Sequence, residues 1–220
     1  MRYYPVYLDM RGRNALVIGG GAVGSRKAET LLRAGARVTL VSPQVTETIR
    51  SLADAGRLTW HARCYQSSDV ADMFLVYSAT DDADLNRRIE EDAAGQQALC
   101  NFADQPDRGH FILPSIIERG DLLVSISTSG KSPAVARRLR KDMEAYFGEE
   151  YAPFLRLMGA VRERLLEREH APADHRKVFG QLIDGGLLAL VKAGDRDGIN
   201  RLLQSVLGDG FDGERLMAGK

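Results

Sequence analysis

Hydrophobic and polar positions alternate in blocks along the first hundred residues. Leu16-Val17-Ile18 is a short apolar run, a helix-period segment with Leu31-Leu32 follows, and Val38-Thr39-Leu40-Val41 closes the unit. Residues 43–55 read as a short helix, and 58–63 as a third strand with alternation. Residues 73–79 form a continuous apolar run of the kind buried in parallel sheets. Thr80-Asp81-Asp82 stops that run and caps a helix over about 83–94. Residues 98–102 read as a fifth strand. Strands alternating with helices predict an α/β fold, a doubly wound parallel sheet.

The periodicity changes near residue 110. Residues 111–117 and 122–127 read as two further strands, with Glu118-Arg119-Gly120-Asp121 as the turn. Ser132-Pro133 opens a helix, serine at the N-cap and proline at the first helical position. Val135, Leu139, Met143 and Tyr146 lie on one stripe of it. From Tyr151 the chain reads helical. Phe154, Met158, Val161 and Leu165 form one stripe, Ala171-Pro172 and Gly185-Gly186 break the run, and Ile199, Leu202, Leu203 and Val206 form another. This predicts a small helical bundle with residues 211–220 frayed at its end.

Between the first two strands stands Gly19-Gly20-Gly21-Ala22-Val23-Gly24, a Gly-x-Gly-x-x-Gly turn at a strand-to-helix junction. In a βαβ unit this is the fingerprint of a dinucleotide crevice. Gly19 allows the tight turn, Gly21 lets backbone approach a pyrophosphate, and Gly24 lets helix and strand pack closely. The phosphates then meet N–H groups at a helix N-terminus. The acidic residue that usually receives the ribose about 20 residues further on is missing. The second strand ends Leu40-Val41-Ser42-Pro43-Gln44, and no arginine follows at once to suit a 2′-phosphate.

Composition narrows the field. In 220 residues, 30 basic side chains balance 30 acidic ones, so no global field favours nucleic acid. The two cysteines, Cys64 and Cys100, have no metal-ligand spacing and are expected as free buried thiols in a reducing compartment. His61, His110, His170 and His175 show no ligand spacing either, so no resident metal is expected; His110 alone lies in a stretch that could touch a substrate. The N-terminus lacks a signal-peptide core and no apolar run is long enough to cross a bilayer, which makes the cytoplasm the expected location and excludes a membrane partner.

Six motifs in order raise the specificity. They are Tyr4-Pro5-Val6-Tyr7-Leu8; the glycine turn with Arg26-Lys27; Ala79-Thr80-Asp81-Asp82; Asn101-Phe102-Ala103-Asp104; Phe111-Ile112 with Pro114-Ser115; and Ser127-Thr128-Ser129-Gly130-Lys131-Ser132-Pro133 with Ala136-Arg137. This set closely resembles the precorrin-2 dehydrogenase family, which includes the dehydrogenase and ferrochelatase module of siroheme synthase. The resemblance covers residues 4–150 and, more loosely, the helical tail. No methyltransferase domain follows, so the chain resembles the stand-alone module.

The resemblance implies NAD-dependent oxidation of precorrin-2 to sirohydrochlorin, with insertion of ferrous iron, as a substrate, in some members. It further implies a homodimer. The chain then divides into an NAD-binding Rossmann-type domain over 1–112, a dimerisation segment over 113–150 and a helical region over 151–220. NAD is expected along Gly19, Gly21, Ala22, Val23 and Gly24, at Pro43 and Gln44, and beside Thr80 and Asp81, with NADP left open.

Asp104 follows a strand at the carboxyl edge of the sheet, where ligands of open α/β folds bind. On residue type alone it is a turn residue; the resemblance makes it the catalytic carboxylate, a base for the proton released on oxidation or metal insertion. Asn101 either orients substrate or caps a strand end. Ser127, Thr128 and Lys131 are read as contacts for the carboxylates of a substrate that, by the resemblance, carries eight, in preference to an ordinary helix cap. For Arg140 and Lys141 a solvated basic face is the simpler reading. Some family members carry a phosphorylatable serine where Thr128 stands. A non-enzymatic NAD-sensing module acting through a partner protein would use the same glycine turn, but would leave the motifs at 101–104 and 127–133 without a task.

Overall fold

The computed structural model describes residues 2–167, 172–208 and 210–218, in two units that meet at Leu113 and Pro114. His170 lies outside the described residues. The first unit runs β1 (Asn14–Ile18), α1 (Ala22–Arg33), β2 (Arg37–Val41), α2 (Glu47–Asp54), β3 (Thr59–His61), β4 (Leu75–Ser78), α3 (Ala83–Gly95) and β5 (Leu99–Phe102). The strands form one parallel sheet in the order β3-β2-β1-β4-β5.

Successive residues of a strand point to opposite faces, so a wholly apolar strand feeds two cores. Ala15, Val17, Leu40 and Tyr77 pack with Ala28, Leu31 and Ile49 on the α1 and α2 side. Leu16, Ile18, Val76, Cys100 and Phe102 pack with Ile89 and Ala93 of α3 on the other. The doubly wound α/β architecture is thus observed directly. Strand order reverses between β1 and β4, and the crevice at such a switch point is where this fold binds ligands.

The second unit holds an antiparallel pair, β6 (Ser115–Arg119) and β7 (Leu122–Ile126), then α4 (Pro133–Glu144), α5 (Tyr151–Glu167), α6 (Pro172–Asp184), α7 (Leu187–Ala193), α8 (Arg196–Leu207) and α9 (Gly213–Ala218). Phe154, Leu157, Val161 and Leu165 of α5 pack with Leu182, Leu187, Ile199 and Leu203 into one core.

Five expectations are corrected. Residues 111–114 are not strand, because the Phe111 carbonyl is held by the Asn101 side chain and Pro114 has no N–H for a ladder. β6 starts at Ser115 and runs through Arg119, which tightens the turn to Gly120 and Asp121. The third strand ends at His61, since Arg63 turns to a bidentate pair with Asp69 at 2.6 and 2.8 Å. The tail is not frayed over its length: Phe211 is buried in the helical core and α9 follows it, although Gly219 and Lys220 lie outside the described residues. Cys100 is buried but Cys64 is exposed; both are free.

Candidate active site

Residues 19–24 leave β1 and enter α1 at the switch point. A Cβ on Gly24 would run into the Gly19 carbonyl, and one on Gly20 into the Gln44 carbonyl. Gly19 has a φ of +105° and faces the backbone of Ala79. Three loops, following β1, β2 and β4, therefore converge here with no room for side chains between them. Ser25 and Thr46 bolt two of them together, with hydroxyls 2.7 Å apart, and the Thr46 N–H donates to the Gly20 carbonyl at 3.1 Å. Pro43 and Gln44 stand exposed on that rim.

Gly21 differs from its neighbours. A Cβ there would meet nothing within 4 Å, so its side faces open space rather than protein. It is also the N-cap of α1, with no side-chain cap and no acidic residue in the first turn, whereas α2 and α3 are capped by Thr46 and Asp82. Ala22 and Val23 are exposed at this end. Uncapped N–H groups beside a surface with no Cβ fit the pyrophosphate of a dinucleotide. Arg63, beyond the neighbouring β3, is held by Asp69 and so is not free to meet a 2′-phosphate.

The ends of β4 and β5 build the other wall. Ser78 pairs with Phe102, and the Ala103 N–H donates to the Ser78 carbonyl at 3.0 Å, which sets Asp104 beside the loop after β4. Asp104 is exposed, and its Oδ1 accepts from the Asn86 amide at 3.0 Å. Asn86 also donates to the Thr80 carbonyl at 3.2 Å and accepts from the Ser78 hydroxyl. The Thr80 hydroxyl accepts from the Asp82 N–H, and Asp81 is exposed next to it. Thus Asp104, Thr80 and Asp81 lie together at one end of the sheet, on the side of the switch point opposite to Pro43 and Gln44.

Asn101 is 6% exposed and its amide donates to the Phe111 carbonyl at 2.8 Å, which draws residues 105–111 back along β5. His110 belongs to the same return: its Nδ1 accepts from the Cys100 N–H at 3.0 Å. Phe111 meets Tyr77 edge-on, with centroids 5.6 Å apart. Lys27 lies over that Tyr77 ring at 5.2 Å; its burial, with Arg26 adjacent, lowers its pKa to about 8. Burial likewise pushes the Cys100 thiol up to about 11, which keeps it protonated and inert.

In the second unit, the loop before α4 is closed on itself. The Thr128 hydroxyl donates to the Ser132 carbonyl at 3.0 Å and accepts from its N–H at 3.1 Å. The Ser127 hydroxyl accepts from the Ser129 N–H at 3.0 Å. Ser132 caps α4 through the Val135 N–H, with Pro133 next to it. Lys131 is exposed. Among the described residues no group of three His, Cys, Asp or Glu side chains is placed to hold a metal ion, and no helix is long and apolar enough to cross a membrane.

Sequence reasoning passed over Ser25, Thr46, Ser78 and Asn86. A signal for Asn86 was present: it shares the α3 stripe of Ile89 and Ala93, at spacings of three and seven, where an apolar residue is expected.

The 3-2-1-4-5 sheet and its glycine crevice define an NAD(P)-binding α/β protein. Residues 6–115 match the family model described as "Putative NAD(P)-binding", and residues 119–146 match "Sirohaem biosynthesis protein central". Siroheme synthase 1 of Pectobacterium atrosepticum is 35% identical over 218 residues, 99% of this chain and 45% of its own length. Siroheme synthase of Nitrosospira multiformis is 36% identical over 198 residues, 88% and 42% respectively. The solved structure of SirC, a precorrin-2 dehydrogenase, superposes with a TM-score of 0.78 at 26% identity, covering 92% of this chain and all of SirC. The chain belongs to the siroheme synthase and precorrin-2 dehydrogenase family, and it spans less than half the length of those siroheme synthases.

Proposed function

We propose that this protein oxidises precorrin-2 to sirohydrochlorin with NAD. The observation that carries this reading is the pairing, at one switch point, of an uncapped α1 N-terminus with an anchored carboxylate at the end of the next strand pair. Bound NAD would supply the hydride acceptor. The chain's own part is to hold it: backbone at Gly19, Gly21, Ala22, Val23 and Gly24 along the pyrophosphate, Pro43 and Gln44 on one rim, Thr80 and Asp81 on the other. The overall change, precorrin-2 + NAD⁺ → sirohydrochlorin + NADH + H⁺, releases one proton, and Asp104 is assigned to receive it.

Asn101, through the oxygen of its side chain, and the loop of Ser127, Thr128 and Lys131 are assigned to the substrate. In that loop the hydroxyls shape the backbone and the Lys131 ammonium meets carboxylate. Ferrous iron is a candidate second substrate, inserted after oxidation with Asp104 again taking protons. The same proposal makes the protein a cytoplasmic homodimer through residues 113–150, with 151–220 as a helical appendage.

The test is anaerobic: purified protein, enzymatically generated precorrin-2 and NAD, with NADH and tetrapyrrole absorbance followed before and after ferrous iron is added. NADH formed together with a sirohydrochlorin spectrum is the expected result. An iron-dependent change faster than the enzyme-free control adds the chelatase. Intact NAD binding with no NADH would overturn the dehydrogenase and favour an NAD sensor.

A further inference from the structure

We propose that Asn86 is the positioning residue of this site, holding Asp104 in the rotamer that meets the substrate proton; the inference rests on the catalytic reading of Asp104 above. Asn86 is 2% exposed and its side chain has three partners: the Ser78 hydroxyl, the Thr80 carbonyl at 3.2 Å and Asp104 Oδ1 at 3.0 Å. Those partners dictate which way the amide faces. A carbonyl and a carboxylate only accept, so both require the NH2 end, and Ser78 can give its proton to the amide oxygen. Ser78 is itself 1% exposed and fixed in β4, so the amide is clamped from behind.

Asp104 needs such a clamp. It sits exposed on a bend past β5, where a short carboxylate in water samples several rotamers. The bond from Asn86 fixes Oδ1 and leaves Oδ2 to take the proton. Donation from a neutral amide achieves this without adding charge to a crevice that must admit an anionic cofactor and a polycarboxylate. It also links the carboxylate to the Thr80 loop on the cofactor rim through a single buried side chain. A reacting group held within a fraction of an ångström gains most in turnover, since misplacement by about 1 Å can cost on the order of 100-fold.

If Asn86 only tied α3 to β4, its loss would lower stability and NAD affinity, and turnover would return at saturating NAD. Asn86→Asp separates the two roles. It keeps the size and the acceptor for Ser78, but turns a carboxylate oxygen towards Asp104. The measurements are kcat and KM at saturating NAD, the NAD dissociation constant and the thermal midpoint, for N86D, D104A and the N86D/D104N pair. In N86D kcat falls by about 10- to 100-fold while KM and NAD affinity stay within about threefold. In N86D/D104N donor and acceptor are exchanged between positions 86 and 104 while the Thr80 carbonyl still lacks its donor, so part of the thermal midpoint lost in N86D returns and turnover does not.

Wild-type kcat in folded N86D, or kcat restored by saturating NAD, overturns the positioning role. Should N86D fail to fold, Ser78→Ala takes its place, removing only the hydroxyl that orients the amide. It lowers kcat by about 3- to 10-fold at unchanged NAD affinity, and wild-type turnover there overturns the proposal. Wild-type turnover in D104A removes the catalytic reading of Asp104 itself, whereas its loss in D104A beside wild-type kcat in N86D removes the Asn86 role alone.

Discussion

An alanine at Gly24 drives its Cβ into the carbonyl oxygen of Gly19, whereas at Gly21 it meets no protein atom within 4 Å. Two glycines of one motif thus differ, one confined by packing and one facing open space that the proposed function assigns to the cofactor. Gly21 has φ −76° and ψ −172°, which any residue adopts, so Gly21→Ala leaves the fold intact. In the proposed NAD site its methyl group would stand where the pyrophosphate approaches, and NAD affinity is expected to fall by at least about tenfold, or 1.4 kcal/mol. Gly24→Ala must push α1 off β1 and is expected to cost about 1–3 kcal/mol of stability besides. Paired calorimetric titrations and thermal melts check both. An unchanged NAD affinity in Gly21→Ala would remove the pyrophosphate from this loop.

At the scale of elements, the carboxy-terminal helix α9 depends on one ring. Phe211 is 6% exposed and joins Ile199 and Leu203 of α8 and Leu157 of α5 in the helical core. Phe211→Ala is expected to cost about 3–5 kcal/mol and to release α9 first. Urea unfolding gives the loss, and hydrogen exchange shows whether residues 213–218 lose protection before α5 does. That the sequence reads as a frayed end here has a physical cause. Asp212, Gly213 and Gly219 interrupt the apolar residues there, and Phe211 gains its value only from partners far back in the chain. Strands β1, β2, β4 and β5 were legible because burial on both faces makes them largely apolar, a purely local signal, whereas the edge strand β3 was legible from the alternation around Thr59-Trp60-His61. The glycine loop was legible for the same reason, since a tight turn and a close approach restrict residue type in place. Residues 111–114 misled because their apolar character serves a non-strand contact, Phe111 against Tyr77, which no window of sequence contains. Asn86 and Ser78 were missed because their function is a contact between α3, β4 and Asp104, visible only when the elements are assembled.

For the whole molecule, formal charge is balanced, so no net field drives association. Each unit has a core of its own, yet the second presents an apolar surface that this core does not cover. Ile116 of β6 is 40% exposed, on the face opposite to the buried Ile117, and Val135 and Leu139 of α4 are 49% and 43% exposed. The apolar stripe read from the sequence of α4 is largely outward, with Ala136 as the buried contact. A two-stranded sheet is marginal by itself, and in the proposed dimer the exposed aliphatics of β6 and α4 are candidates for what a second copy would cover in a self-complementary interface. Sedimentation of the wild-type protein is accordingly expected to give a dimer. Ile116→Asp places a charge on this face without touching the Ile117 side. It is expected to give a folded monomer that still binds NAD, because the cofactor crevice lies wholly within the first unit. A wild-type protein that sediments as a monomer at every concentration, or an Ile116→Asp variant that remains dimeric, would place the association elsewhere. A monomeric variant with NAD binding intact and turnover lost would show that the second copy completes the substrate site and not the cofactor site.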